Sequence, residues 1–237
     1  MRSGNPVLRD DQFAVRHPGT EAMTLSGTIN KTAILLALVV VGAAWTWQLA
    51  NPMPWMMFGI FAGLGLIFVS VFKVQWVPWI APAYAVLEGF VVGGLSAMLE
   101  KQFPGIAMQA AGLTFGVFAF MLVIYRTGII PVTDRLITGV FAATGAIALI
   151  YVIDIVLRMF GIGVPFIHDS GPLGIGISLL IVGVAAFNLL LDFHFIEEQT
   201  LAGAPRVMEW YGAFGLLVTL IWLYIEILRL LSKLNNR

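Results

Sequence analysis

The sequence predicts an all-α integral membrane protein, a compact bundle of seven transmembrane helices. Of 237 residues, 59% are hydrophobic and only 11% are charged, whereas charged residues make up about a quarter of an ordinary soluble domain. The mean hydropathy is +0.94. The apolar residues come in runs of about 20, the length a helix needs to cross roughly 30 Å of hydrocarbon. Strand-like alternation is absent, and only helices or closed barrels satisfy their backbone polar groups inside a bilayer.

Residues 1–29 read as a short polar tail, with Arg2, Arg9 and Arg16 among Asp10, Asp11 and Glu21, unlike a secretory signal peptide. Residues 30–234 form the transmembrane domain. Its first span runs from Thr32 to Leu49 and ends at the breaker "NPMP". The second, Trp55 to Phe72, carries Gly59 and Gly63 at helical spacing, which lets a neighbouring backbone approach closely. The third, Pro78 to Leu99, repeats that device at Gly89 and Gly93 and holds Glu88 about midway, with no basic residue within two turns. "FPG" closes it, and the fourth span, Ile106 to Tyr125, carries Gly112 and Gly116. The fifth, Ile137 to Phe160, places Asp154 and Arg158 at i,i+4, the spacing of an intrahelical ion pair. After "GIGVPFIHDSGP" the sixth span covers Gly174 to Leu191 and meets "DFHFIEEQ" at its end. The seventh, Trp210 to Leu231, ends in a stripe of Glu226, Arg229 and Lys233, spaced as an exposed helix end whose long side chains reach toward water.

An odd number of spans puts the two ends on opposite sides. The N-terminal side then carries Arg2, Arg9, Arg16, Lys31, Lys73, Arg126, Arg135 and Arg206; the other side has the smaller set Lys101, Arg158, Arg229, Lys233 and Arg237. The positive-inside rule therefore predicts a cytosolic N-terminus. With 13 Lys+Arg against 13 Asp+Glu there is no basic surface for nucleic acid. Without cysteine, disulfides and thiolate chemistry are excluded. "GGLSAM" around Ser96 has the Gly-x-Ser form of an intramembrane serine protease. Its only candidate base, His194, falls near the opposite face of the membrane, beyond the hydrogen-bond reach that catalysis requires. His17 and His168 add no zinc-binding spacing. No enzymatic activity and no resident cofactor are expected.

Charged residues within spans cost about 2.5–3.5 kcal/mol each at a helix centre and mark functional sites by default. Asp192 differs from the paired charges because no basic residue lies three or four positions away on either side. It is either the last residue of a span meeting water or a carboxylate held in the membrane for a purpose.

Three stretches carry a resemblance: "EGFVVGGLSA" (Glu88 to Ala97), "NLLLDFHFIEE" (Asn188 to Glu198) and "EWYGAFGLLVTLIWLYIEILRLLSKL" (Glu209 to Leu234). With the order of spans they resemble the Bax inhibitor-1, or transmembrane Bax-inhibitor-motif, family, and within it the bacterial branch. In eukaryotes that family is associated with suppressing cell death and lowering organelle calcium. The resemblance implies a pH-regulated cation leak of a bacterial inner membrane, permeable to calcium. Two carboxylates on the last two helices would share a proton and close the path; such a pair titrates as a unit.

By that resemblance Asp192 occupies the place of the sixth-helix aspartate, and "LYIE" puts Glu226 in the place of its partner. A turn centred near Ala202, however, leaves Glu226 about 14 residues, roughly 21 Å, out of register with Asp192. Glu209 lies at the matching depth and is the rival partner. Glu88 and Asp154 are further candidates along a pathway. Carboxylate oxygens suit calcium as a transported ion, and so few of them imply a transit site. The alternative function is a non-conducting membrane protein that modulates other membrane proteins, such as a membrane protease.

Overall fold

The computed structural model describes residues 22–160 and 170–236. The tail through Glu21, with its three arginines and His17, and the loop residue His168 lie outside the described residues. Among the described residues, seven helices are long and apolar enough to cross a membrane, and they form the bundle. They are α1 (Leu25–Trp47), α2 (Met53–Phe72), α3 (Val77–Gln102), α4 (Ile106–Thr127), α5 (Asp134–Met159), α6 (Pro172–Leu201) and α7 (Met208–Asn235).

Local chemistry sets the ends. α1 starts seven residues before the expected Thr32, because Thr24 caps it: its hydroxyl accepts the Gly27 N–H at 3.0 Å. In the polar first turns of α1 the Thr28 and Thr32 hydroxyls find partners within the helix, donating back to carbonyls one turn earlier at 3.1 and 2.9 Å. α2 and α3 each begin with proline in the first turn, where no N–H is needed. Gly105, at φ +89°, makes the tight corner into α4. The Glu100 carboxylate then accepts the N–H groups of Gly105 and Ala107 at 2.5 and 3.1 Å, occupying donors that a helix start leaves open.

The largest departure from expectation is α6. It continues ten residues past Leu191, to Leu201, because "DFHFIEEQTL" is amphipathic: Phe195 and Ile196 are buried while Glu197 is exposed. Asp192 therefore lies well inside a helix.

α7 is the hub, packed against α1, α3, α4 and α6. Tyr211, Phe214, Leu217, Leu223 and Leu228 are fully enclosed along it. α2 packs on α3 and α5 on α6, at the periphery. The outward faces are apolar to a degree water would not permit: Trp79 is 82% and Met108 79% exposed. Exposed apolar faces on all-helical spans identify an integral membrane protein.

Lipid is as apolar as leucine, so close packing rather than burial holds such helices together. α1 and α3 make the tightest contact. A methyl at Gly89 would sit 2.5 Å from the Val39 carbonyl oxygen and 2.9 Å from Gly42 Cα; one at Gly59 would sit 2.6 Å from the Leu87 carbonyl oxygen, between α2 and α3. The pair Gly112 and Gly116 departs from expectation. Among the described residues nothing lies within 4 Å of the place a methyl would take at either, so neither glycine is at a close helix contact.

At the N-terminal end a short strap closes the bundle. Met23 N–H donates to the Ala204 carbonyl at 2.7 Å, and Ala22 pairs with Pro205 in a single antiparallel bridge. The chain entering α1 is thereby fastened to the α6–α7 turn.

Candidate functional site

Asp192 is wholly buried. Its Oδ2 accepts a hydrogen bond from the Thr219 hydroxyl of α7 at 2.6 Å. One turn earlier on α6, the Asn188 amide donates to the Thr144 hydroxyl of α5 at 2.8 Å and to the Val184 carbonyl at 2.9 Å. Polar contacts along this part of α6 thus reach α5 and α7. The Asp192–Thr219 bond also fixes the α6–α7 register. The antiparallel pairing is centred near Pro205 rather than Ala202, since α6 runs on to Leu201 before the turn.

On that register Glu226 is seven residues beyond Thr219, about 10 Å along the helix, and Glu209 is ten residues before it, about 15 Å. The sequence-based register misplaces both. Glu226 is buried and serves a different cluster: the Tyr151 hydroxyl of α5 donates to its Oε1 at 2.8 Å, and Arg229 approaches both carboxylate oxygens at 3.1 and 3.2 Å. Arg229 also donates to the Tyr151 hydroxyl and stacks over its ring, 4.9 Å from the centroid. Glu226 is thus held in a three-residue clasp between α5 and α7.

Glu209 is equally buried, at the N-terminal end of α7. It accepts the Thr24 N–H at 2.9 Å and the Thr24 hydroxyl at 2.8 Å, and forms an ion pair with Lys31. It therefore anchors the cap and first turns of α1. Lys31 also lies 5.5 Å above the Trp210 ring. Asp154 and Arg158 form the intrahelical pair expected from their spacing, at 3.0 Å.

Glu88 neighbours Tyr84 one turn earlier on α3 and points toward Gly63 of α2. The stripe ending α7 is not an exposed helix end: Lys233 is buried and donates to the Gly174 carbonyl at 3.0 Å and the Ser178 hydroxyl at 2.8 Å, pinning α7 to the start of α6. Ser96 bonds to the Tyr224 hydroxyl at 2.7 Å. His194 lies beside Tyr125, near the opposite end of the bundle.

The carboxylates thus do not converge. Among the described residues no three His, Asp or Glu gather as a metal site. Among the cavities are one of about 520 Å³ at the strap, one of about 560 Å³ between α1 and α4 and one of about 450 Å³ at the start of α3; of the five candidates only Glu209 lines any of the three.

A family model described as Bax inhibitor 1 like matches residues 5–236. The chain belongs to the Bax inhibitor 1 like family. No curated protein and no solved structure matches it. Within this family member the sequence-based reading missed the hydroxyl partners Thr219, Tyr151 and Tyr84 and the Lys31 counter-charge. Only Tyr84 left a signal, its i,i+4 spacing from Glu88; the others come from distant parts of the chain.

Proposed function

We propose that this protein is a pH-sensitive cation leak of a bacterial inner membrane, passing calcium, with its N-terminus in the cytosol. The arrangement described is its closed state. The observation that carries the reading is Asp192, a carboxylate enclosed at mid-helix and held by the Thr219 hydroxyl. Charge at such a depth is expensive. A conformation that parts α6 from α7 and admits water or a cation relieves that cost, so losing the proton favours opening. The sensor on this reading is Asp192 with Thr219 rather than two carboxylates sharing a proton, since Glu226 is occupied by Tyr151 and Arg229.

The separate pairing of Glu88, Asp192 and Glu226 favours a second reading, a non-conducting membrane protein that modulates a membrane-protein partner. Calcium flux into liposomes containing the purified protein, measured from about pH 6 to about pH 8, separates the two. The leak reading expects flux above that of empty liposomes, rising with pH. Flux equal to that of empty liposomes removes it and leaves the partner reading.

A further inference from the structure

We infer that the opening between α1 and α4 is a lipid site that takes one acyl chain of an amine-headed phospholipid from the leaflet opposite the N-terminal side. α1 and α4 flank this cavity without a packed interface between them. The gap follows from the sequence, because Ala44 on α1 and Ala111 on α4 face it with single methyl groups. Its lips, Val40 and Met108, are 64% and 79% exposed on the outer apolar surface, so it opens sideways into hydrocarbon.

The cavity holds about 560 Å³, within the range of roughly 300–1,000 Å³ typical of small-molecule sites. Space left unfilled against an apolar wall forfeits its dispersion contacts, and the acyl chains of the bilayer are the adjacent source of matter to fill it. The floor makes little polar demand on an occupant, since the Ser96 and Tyr224 hydroxyls are bonded to each other at 2.7 Å.

Charge selects the headgroup. Among the described residues Glu100 is the single Asp, Glu, Lys or Arg lining the cavity, so its formal charge is negative. Glu100 is fixed by the Gly105 and Ala107 N–H groups near the membrane boundary, where α3 turns into α4. An anionic headgroup meets a like charge there, whereas an ammonium meets a placed carboxylate.

The test uses the full chain in vesicles doped with phosphatidylethanolamine that carries a photoactivatable diazirine on one acyl chain, followed by peptide mapping. Labels on the floor at Ser96 or Tyr224 are expected, because a chain that merely coats the outer surface cannot reach them. Ala44→Phe and Ala111→Phe, filling the gap from opposite walls, should each lower floor labelling roughly tenfold while sparing outer-face labels. Glu100→Gln should abolish the preference over the same probe built on phosphatidylglycerol. Labels confined to outer faces, or floor labelling unchanged in both filled variants, overturn the site. Equal floor labelling by both headgroups in the wild type overturns the headgroup assignment.

Discussion

The hydroxyl of Thr219 donates to Asp192 at 2.6 Å across the α6–α7 interface, at a point where the aspartate has no exposed surface. This bond ties a candidate carboxylate with no basic residue three or four positions away on its own helix to the hub of the bundle. Whatever changes the charge of Asp192 therefore acts on the packing of α7.

Asp192→Asn should abolish the pH dependence of calcium flux while leaving the protein folded, because an amide oxygen still accepts from Thr219 but cannot titrate. The sign follows from the cost of charge. Wild-type flux rises with pH as the charged form disfavours the closed packing, and the Asn variant stays at the low-pH level throughout. Thr219→Val, of nearly the same shape, withdraws the hydroxyl and should cost about 1–3 kcal/mol in thermal stability. Paired with Asp192→Asn, its effect should be smaller than when made alone. A pH response in Asp192→Asn equal to the wild type would show that the sensor lies elsewhere.

Glu226→Gln should leave the pH response of flux intact, in contrast to the role its place in "LYIE" implies. The carboxylate is engaged by Tyr151 and Arg229, about 10 Å along α7 from Thr219. The amide keeps the bond from Tyr151, so the expected loss of stability is modest, about 1 kcal/mol. Arg229→Met should cost more, since it strands a buried carboxylate with a single phenol donor. Melting of the two variants in detergent gives the order, and flux across the pH range gives the functional half.

The number of spans was legible because composition and length alone determine it. Asp154 with Arg158 was legible because both partners sit on one helix. The end of α6 was not, since four ionisable residues between Asp192 and Glu198 suggest an exit to water while the buried Phe195 and Ile196 keep one face in the bundle. Nor was the burial of Asp192, whose partner lies 27 residues away. Paired glycines showed that a helix face is smooth but not that a neighbour meets it.

That last distinction yields a matched pair of substitutions. Gly89→Ala drives a methyl against the Val39 carbonyl and Gly42, backbone atoms that cannot step aside, and should lower stability by about 1–3 kcal/mol. Gly112→Ala enters open space and should be neutral or stabilising by up to about 1 kcal/mol, the helix-propensity gain of alanine over glycine. Thermal melting under identical detergent conditions compares them. Equal losses at both positions would refute the assignment of the tight interface to α1 and α3.

The strap at the N-terminal end gives the last prediction. Glu209 is 1% exposed and Lys31 17%, so their ion pair is shielded on one side and partly wet on the other. Lys31→Met leaves the carboxylate buried with only the Thr24 donors and should cost about 1–3 kcal/mol, less than a fully buried pair because Lys31 meets solvent. Glu209→Gln should cost less, since the amide oxygen still accepts from Thr24 and the freed lysine swings into water. Combining the two removes the stranded charge, so the double variant should be more stable than Lys31→Met alone. Hydrogen exchange at the Met23 amide, which bonds the Ala204 carbonyl, reports the strap directly. It should accelerate most in Lys31→Met and recover in the double variant, because the strap is fastened through Thr24 and Thr24 through Glu209.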